Sequence, residues 1–194
     1  MTNSKIRVGV IGLGYLGKFH FEKYLLNKSI NLTSIVDIDK KNLDSVNLEN
    51  IYKSTSFKNI IEEVDAVSIV TPTITHFSIA KFFLENKVHV LLEKPMTESV
   101  SEARKLISIA KKIFNYDVHG FTIMNHDERY EEKDMVNYSV KSQELKHTSI
   151  AVEKNNFFEN LNNIVNYHDS PVSTISYYAH WLPVSYTHLT LPTI

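Results

Sequence analysis

The sequence predicts an α/β fold: a doubly wound parallel sheet over residues 1–124, followed by a short α/β appendage. Two observations lead to this prediction. Short, β-branched apolar runs alternate with helical stretches, and strands buried on both faces of a parallel sheet have such near-continuous apolar sequences. In addition, the first run leads directly into three glycines spaced Gly-x-Gly-x-x-Gly, which is typical of a strand-to-helix turn.

Five strands are predicted in this first part of the chain, each as an apolar run bounded by turn or helical residues. They cover residues 6–11, 32–36, 51–54, 64–70 and 88–92. Helical stretches lie between them, as crossover connections between parallel strands require. The last helix of this part is predicted to begin at the capping-box pair Ser99 and Glu102 and to end near Lys112.

The composition excludes several classes of protein. Hydrophobic residues make up 43% of the 194 residues, which is enough for a core and excludes a wholly disordered chain. The 21 basic and 22 acidic side chains give no electrostatic reason for a nucleic-acid or anionic-membrane partner. The chain has no cysteine and no apolar run of the roughly 20 residues that a membrane helix needs. We therefore expect a cytoplasmic protein with no nucleic-acid and no membrane partner.

The glycine loop is the first chemical motif, and its position between a strand and a helix indicates a dinucleotide-binding loop of the Rossmann type. Gly12 is expected to permit the sharp turn, Gly14 to let the pyrophosphate approach the backbone, and Gly17 to let helix and strand pack closely. The amino end of the helix then faces the phosphates. The alternative is a tight turn that binds no ligand.

An acid stands at the end of the second predicted strand, Asp37, 20 residues beyond the last glycine of the loop. A carboxylate in this place accepts hydrogen bonds from the adenosine ribose hydroxyls and repels a 2′-phosphate. The sequence therefore predicts NAD as the cofactor, with NADP less favoured. The alternative is a solvated turn aspartate, since Asp39 stands two residues away.

Polar residues also follow the fourth and fifth predicted strands, and ligands bind at the carboxyl ends of such strands. Thr71 and His76 lie in the first of these segments, and Glu93 and Lys94 in the second. A buried lysine beside a nicotinamide would have a lowered pKa and would hydrogen-bond the substrate hydroxyl that loses its proton during hydride transfer. The alternative is an ordinary strand end.

Four motifs in order resemble the nucleotide-binding domain of the Gfo/Idh/MocA family, the group of glucose–fructose oxidoreductase and inositol dehydrogenase. They are GLGYLG at 12–17, VDID at 36–39, TPTITH at 71–76 and LLEKPM at 91–96. The resemblance covers about residues 5–112 and implies an NAD(P)-dependent oxidoreductase. Its substrate would be a hydroxyl of a sugar, a nucleotide sugar or a cyclitol, with the nucleotide-sugar dehydrogenases of surface-polysaccharide synthesis as the nearest group.

The resemblance also implies roles for single residues. Lys94 is expected to be the catalytic lysine, and Glu93 to lie against the nicotinamide side of the cofactor. Thr71 and His76 are expected to line the cofactor cleft. The full set of expected cofactor-binding residues is Gly12, Gly14, Tyr15, Leu16, Gly17, Asp37, Thr71, His76 and Glu93. No metal site is expected, because the histidines lack the spacing of metal ligands.

Members of this family continue into a substrate domain that supplies an Asp-x-x-x-His pair and the oligomer interface. Residues 113–194 contain no Asp-x-x-x-His. The substrate domain and the oligomer interface of the parent family are therefore expected to be missing, and whether the chain is itself an enzyme is left open. The alternative function is a non-catalytic dinucleotide-binding module.

Residues 105–182 resemble a second family, the synthetase domain of glutamine-hydrolysing asparagine synthetases. The similarity lies in YDVHGFTI at 116–123, the acidic stretch at 127–135 and the segment 157–182. That family's Ser-Gly-Gly-x-Asp-Ser loop, which cradles phosphate, is replaced here by TESVSEARKL at 97–106. An ATP-dependent amide ligase is therefore a disfavoured second alternative, which ATP–pyrophosphate exchange would test.

The two resemblances set the expected domain boundaries. Residues 1–124 form the dinucleotide-binding domain, with a strand at 118–123 completing its parallel sheet, and residues 125–182 form a poorly packed fragment. Residues 183–194 resemble the translation of sequencing-adapter read-through, whereas the alternative is an ordinary exposed tail. A chimera joined within residues 106–112 would explain this order of segments.

Overall fold

The computed structural model describes residues 5–115, 119–124, 137–138, 140–141, 146–151, 156–168, 171–172, 174 and 177–182. The chain divides into two compact units, residues 1–116 and 117–194. The predicted acidic stretch and the predicted tail lie outside the described residues.

The first unit is built on a five-stranded parallel sheet with the strand order β3-β2-β1-β4-β5. The strands are β1 Ile6–Ile11, β2 Ile30–Val36, β3 Tyr52–Ser54, β4 Ala66–Ile69 and β5 His89–Leu92. The predicted fold class and all five predicted strands are confirmed. Strand β1 lies between β2 and β4, so the strand order reverses there, and ligands bind at such a switch point in open α/β sheets.

Helices connect the strands of the first unit. They are α1 Tyr15–Leu26, α2 Lys40–Asp44, a 3-10 helix at Phe57–Glu63, α3 Thr73–Glu85 and α4 Val100–Phe114. Helix α4 begins as the capping box predicts, since Glu102 N donates to Ser99 Oγ at 3.3 Å. Helix α1 packs on β1 and β2, whereas α3 packs on β4, β5 and α4. No helix in the described part of the chain is long and apolar enough to cross a membrane.

Alternate residues of the central strand β1 enter two different apolar cores. Val10 is buried with Leu13 and Ile35 in one core, and Ile11 is buried with Phe83 in the other. Because the central strands are covered on both faces, almost every one of their residues is apolar. Burial of both faces therefore explains why the positions of these strands could be predicted from their apolar sequences.

A charged pair connects β1 to the residue before β4, at the amino ends of the strands. Arg7 Nη2 lies 2.8 Å from Asp65 Oδ1, and the backbone N–H of Arg7 donates to Asp65 Oδ2 at 2.8 Å. The hydrogen bond from the Arg7 side chain holds the pKa of the Asp65 carboxyl below its usual range. The same bond raises the pKa of the Arg7 guanidinium. The two side chains are 43% and 45% exposed, so water and salt screen their attraction.

The second unit contains a separate two-stranded parallel sheet. Its strands are β6 His119–Met124 and β7 Lys146–Ala151, and helix α5 Phe157–His168 follows. The prediction that the strand near 118–123 completes the first parallel sheet is therefore wrong. A local apolar pattern predicts a strand, whereas the partner of that strand depends on contacts distant in sequence.

Two polar side-chain pairs connect β6 and β7. His119 Nε2 lies 2.8 Å from Thr148 Oγ1, and Thr122 Oγ1 lies 2.9 Å from His147 Nε2. Such cross-strand pairs stabilise one register of a sheet.

The second unit also has buried apolar residues of its own. Ile164 of α5 is completely buried, and Tyr178 is 1% exposed. The ring of Phe157 lies 4.8 Å from the ring of Tyr178, within the range of favourable aromatic pairs. The described residues of this unit therefore include a small core.

Candidate functional site

The chain turns sharply between β1 and α1 at Gly12, as predicted. Gly12 has a φ of +92°, a conformation that side chains rarely adopt, and a Cβ atom there would lie 2.7 Å from the carbonyl oxygen of Val70. Its backbone N–H donates to Val36 O at 2.7 Å. The turn thus requires glycine for its backbone angle and for its close contact with β4.

The other two glycines of the loop differ in their surroundings. A Cβ atom at Gly17 would lie 1.9 Å from the carbonyl oxygen of Gly12, so the first turn of α1 packs directly on the glycine loop. A Cβ atom at Gly14 would meet no heavy atom within 4 Å. Gly17 therefore serves internal packing, as predicted, whereas the backbone at Gly14 faces open space.

Asp37 connects the end of β2 to the glycine loop. Its Oδ2 accepts a hydrogen bond from Leu13 N at 2.7 Å, and its Oδ1 accepts one from Asp39 N at 2.8 Å. The residue is only 8% exposed, which excludes the alternative of a solvated turn aspartate. Each carboxylate oxygen keeps lone pairs beyond the one used here, so the predicted contact with ribose hydroxyls stays open to Asp37.

Tyr15 and Leu16 form the beginning of α1, next to the open backbone of Gly14. Tyr15 is 83% exposed and Leu16 is 41% exposed. The ring of Tyr15 packs edge-on against that of Phe19, with ring centres 5.3 Å apart. Both residues are therefore accessible to a ligand at the loop, and their contact with a cofactor stays a prediction.

His76 joins the loops that follow β4 and β5. Its Nε2 lies 2.8 Å from the carbonyl oxygen of Thr71, and its Nδ1 lies 3.0 Å from the carbonyl oxygen of Pro95. Because a carbonyl oxygen only accepts, the ring donates both bonds only when both nitrogens carry a proton. His76 is 1% exposed, so it holds the two loops together from inside. The Thr71 side chain accepts a further hydrogen bond from Thr75 Oγ1 at 2.7 Å.

Glu93 and Lys94 follow β5 directly. Glu93 N donates to Ile69 O at 3.1 Å, which continues the pairing of β5 with β4, and Glu93 Oε2 accepts from Lys94 N at 3.1 Å. Lys94 itself is exposed in this chain. Its role in catalysis stays a prediction.

No metal centre accompanies these groups within the part of the chain that the structure describes. No three histidine, aspartate or glutamate residues there are arranged to hold a metal ion. The polar groups described at the carboxyl ends of the strands instead bond to backbone atoms of neighbouring loops or to one another.

A family model agrees with this geometry. The Gfo/Idh/MocA model, described as an oxidoreductase family with an NAD-binding Rossmann fold, matches residues 6–116, more than half of the chain. The chain belongs to the Gfo/Idh/MocA family. Residues 6–116 are its NAD-binding Rossmann domain, and the resemblance expected from the four sequence motifs is confirmed for this part.

The chain matches only part of the length of its relatives in the Gfo/Idh/MocA family. UDP-N-acetylglucosamine 3-dehydrogenase of Acidithiobacillus ferrooxidans is 41% identical over 108 residues, which are 55% of this chain and 34% of that protein. Myo-inositol 2-dehydrogenase of Thermotoga maritima is 32% identical over 126 residues, which are 62% and 36% of the two chains. The chain thus spans about a third of the length of these curated relatives.

Solved structures of the family show the same fold. The Acidithiobacillus enzyme superimposes with a TM-score of 0.53 at 39% identity, over 57% of this chain and 36% of that one. A dehydrogenase from Bordetella pertussis has a TM-score of 0.54 at 22% identity, over 59% and 35% of the two chains. That structure contains NADH and UDP-GlcNAcA, and its likeness to this chain shows the fold alone.

The residues at the glycine loop and at the end of β2 fit NAD, the dinucleotide that the Gfo/Idh/MocA Rossmann fold binds. The open space at Gly14 lies at the amino end of the 12-residue helix α1, where backbone N–H groups and the helix dipole favour a pyrophosphate. The buried carboxylate of Asp37 lies beside the same loop. A pyrophosphate and a ribose thus have matching groups on neighbouring strands.

Sequence reasoning missed two residues at this end of the sheet, His20 of α1 and Ser68 of β4. His20 Nδ1 lies 2.8 Å from Ser68 Oγ, and His20 Nε2 lies 2.9 Å from Glu93 Oε1. The available signal was weak: His20 stands three residues after Gly17, one helical turn beyond the glycine loop. Ser68 is a single polar residue inside an otherwise apolar strand.

Proposed function

We propose that the Rossmann domain is the NAD-binding part of an oxidoreductase that acts on a hydroxyl of a nucleotide sugar or of a related sugar or cyclitol. The observation that carries the proposal is the open backbone at Gly14, at the amino end of α1. The identity with UDP-N-acetylglucosamine 3-dehydrogenase favours a nucleotide sugar as the substrate class. The chain spans about a third of that enzyme, so turnover by this chain is part of the proposal.

The preference for NAD over NADP rests on Asp37. Its carboxylate is held at the end of β2 by hydrogen bonds from Leu13 N and Asp39 N, so its negative charge has a fixed place. A 2′-phosphate beside that charge is repelled, whereas ribose hydroxyls donate to it. We therefore expect NAD⁺ to bind more tightly than NADP⁺.

Lys94 is the residue that we propose to act on the substrate. NAD, when bound, supplies the acceptor for the hydride. In its uncharged form, the ε-amino group of Lys94 would accept a hydrogen bond from the reacting hydroxyl and would receive its proton as the carbonyl forms. The exposure of Lys94 in this chain leaves it in contact with water, so a substrate domain would have to cover it.

Titration of the full 194-residue chain with NAD⁺ and NADP⁺ tests the cofactor proposal. We expect saturable NAD⁺ binding in calorimetry and weaker NADP⁺ binding. Gly14→Val should abolish binding, because its side chain fills the open space at the loop. Gly14→Ala, with its smaller side chain, should weaken binding less. Unchanged NAD⁺ affinity in Gly14→Val would contradict the proposal, and NADP⁺ affinity equal to that for NAD⁺ would contradict the role of Asp37.

A second candidate function is a dinucleotide-binding module without catalysis. It requires only the glycine loop and Asp37, both of which lie in the described part of the first unit. The two candidates differ in turnover of a nucleotide sugar with NAD⁺. The module predicts binding of the dinucleotide without any appearance of NADH absorbance, whereas an oxidoreductase produces NADH at a rate that Lys94→Ala abolishes.

We also propose that the chain joins two unrelated sequences, with a Rossmann domain that ends near residue 116, short of the expected 124, an asparagine-synthetase-like fragment that continues to residue 182, and an artefactual tail over 183–194. The end of the family match at residue 116 and the division of the chain after residue 116 support a join in this region. Long-read sequencing of the source DNA across codons 95–130 and past codon 182 tests it. Reads that cross both places unchanged would contradict a chimera.

A further inference from the structure

We infer that His20 is a positioning residue that fixes the Glu93 carboxylate at the nicotinamide end of the cofactor site, with Ser68 fixing the state of the histidine ring. The inference rests on the proposed function, because it concerns the orientation of a bound NAD. His20 would act through Glu93 and would not itself contact the substrate. The three residues are called the Ser68–His20–Glu93 array below.

The array joins three separate elements of the first unit. His20 lies on α1, Ser68 lies on β4, and Glu93 follows β5. The ring of His20 bridges the other two, with Ser68 Oγ at 2.8 Å from Nδ1 and Glu93 Oε1 at 2.9 Å from Nε2. Ser68 is completely buried, and the side chains of His20 and Glu93 are 18% and 22% exposed. Burial of this degree makes the geometry of each hydrogen bond costly to change.

The carboxylate fixes the direction of its own bond with His20, and for a neutral ring this also determines the direction of the bond with Ser68. An ionised carboxylate only accepts, so His20 Nε2 carries the proton and donates to Glu93. A neutral ring then has an acceptor at Nδ1, and the Ser68 hydroxyl donates to it. The array therefore selects the ring form with the proton on Nε2, and that form holds Glu93 in one orientation.

The sheet topology indicates where Glu93 lies along a bound dinucleotide. Asp37 at the end of β2 marks the adenosine ribose, and Gly14 after β1 marks the pyrophosphate. In the order β3-β2-β1-β4-β5, a dinucleotide that runs from β2 across β1 continues toward β4 and β5. Glu93 follows β5 and so stands at the nicotinamide end.

Glu93 is held from two directions. Oε1 accepts from the His20 ring, and Oε2 accepts from the backbone N–H of Lys94 at 3.1 Å. A carboxylate fixed at the nicotinamide end attracts the positive charge of an oxidised nicotinamide ring and gains no such attraction from the reduced ring. Loss of His20 should therefore weaken NAD⁺ binding more than NADH binding, and should leave the ADP-ribose part of the cofactor unaffected.

Titrations of the full chain with NAD⁺, NADH and ADP-ribose test the inference. ADP-ribose lacks the nicotinamide ring and so reports on the glycine loop and on Asp37 without the nicotinamide end of the site. For His20→Leu we expect NAD⁺ affinity to fall about five- to tenfold, with ADP-ribose affinity within about twofold of the wild type. His20→Gln, whose side-chain amide can still donate to Glu93, should recover part of the loss. His89→Leu, at the amino end of β5, removes a histidine of the same unit and should change neither affinity.

A double-variant comparison separates positioning from general packing. If His20 acts through Glu93, then Glu93→Gln lowers NAD⁺ affinity and the addition of His20→Leu lowers it no further. A structural role predicts a different result, in which NAD⁺ and ADP-ribose affinities fall together with thermal stability. Equal loss of both affinities in His20→Leu, or no change in either, would overturn the inference while leaving NAD binding by the wild type intact.

The ring form of His20 gives a readout that needs no ligand. Nitrogen-15 NMR of the wild-type chain should show the His20 ring with its proton on Nε2, and Ser68→Ala should alter that signal. A proton on Nδ1 of a neutral ring would overturn the inference. A wild-type chain that binds neither NAD⁺ nor ADP-ribose overturns the proposed function and, with it, the role of the Ser68–His20–Glu93 array.

Discussion

The carboxyl and amino ends of the strands in the five-stranded sheet hold their polar groups in different ways. At the carboxyl ends, Asp37, Ser68 and His76 are buried, and each bonds to an atom of another element or loop. At the amino ends, the Arg7–Asp65 pair is nearly half exposed. Buried hydrogen bonds are costly to break, whereas exposed ion pairs contribute little. The ligand-binding end of the sheet is therefore the one whose loops are held by desolvated polar groups.

The largest effect is expected at the start of α1. In Gly17→Ala the new Cβ atom meets the backbone oxygen of Gly12 at 1.9 Å, so the loop and the helix must separate. We expect a loss of at least about 3 kcal/mol in the free energy of unfolding, measured by urea denaturation. Gly14→Ala is the matched control and should change stability by less than about 1 kcal/mol, because its Cβ atom enters open space. Equal urea midpoints for Gly17→Ala and Gly14→Ala would contradict the difference in packing between the two glycines.

The next effect is expected at His76. His76→Leu removes the ring whose nitrogens lie within hydrogen-bond distance of the carbonyl oxygens of Thr71 and Pro95, so the oxygen that accepts from the ring loses its donor inside the protein. We expect a loss of about 2–3 kcal/mol in the free energy of unfolding. Ser78→Ala on the same helix removes an exposed bond to Thr75 O and should cost less than about 0.5 kcal/mol. A similar loss in the free energy of unfolding for both variants would show that burial of His76 does not strengthen its contribution to stability.

A smaller effect is expected at the amino ends, and it depends on pH. The lowered pKa of Asp65 in the folded chain means that its contribution is present above the ordinary value near 3.8 and is lost as pH falls through the folded pKa. Asp65→Asn should therefore cost less than about 1 kcal/mol at pH 7, a cost that shrinks in acid and in high salt. Urea denaturation of both proteins across this pH range measures it. A cost that grows on acidification would contradict this assignment.

The smallest effect is expected at Lys94. Since its side chain is exposed, Lys94→Ala should change the free energy of unfolding by less than about 0.5 kcal/mol. NAD⁺ affinity should stay within about twofold of the wild type, because the proposed partner of Lys94 is the substrate hydroxyl. Calorimetric titration of Lys94→Ala and Gly14→Val with NAD⁺ measures the difference, since Gly14→Val should lose binding. A tenfold loss in Lys94→Ala would place this residue in the cofactor site instead.

Local patterns in the sequence predicted the sheet well. The five strands followed from double burial, the turn at Gly12 followed from the glycine spacing, and the start of α4 followed from Ser99 and Glu102. Each of these features depends on residues within a few positions of one another. The capping bond from Glu102 N to Ser99 Oγ, for example, joins residues only three positions apart.

Features that depend on distant residues were not predictable in this way. The bonds of His20 join residues 48 and 73 positions apart, so no window of sequence contains them. The pairing of β6 with β7 and the exposure of Lys94 likewise depend on contacts between segments that are distant in the sequence. An apolar pattern predicts that a segment is a strand but not which strand it pairs with. A lysine after a strand is predicted to lie at the edge of the sheet, but its exposure is not predicted.

The contrast between Gly14 and Gly17 has a consequence for how this sequence would diverge under selection. A library screened for abundance in cells would discard substitutions at Gly17 and Gly12, because they disturb packing inside the loop. The same screen would retain substitutions at Gly14, where added atoms enter open space. Descendants of this chain that are well expressed and fully folded would therefore accumulate substitutions at Gly14 unnoticed, and such a screen would classify as replaceable the glycine that we propose to face the cofactor.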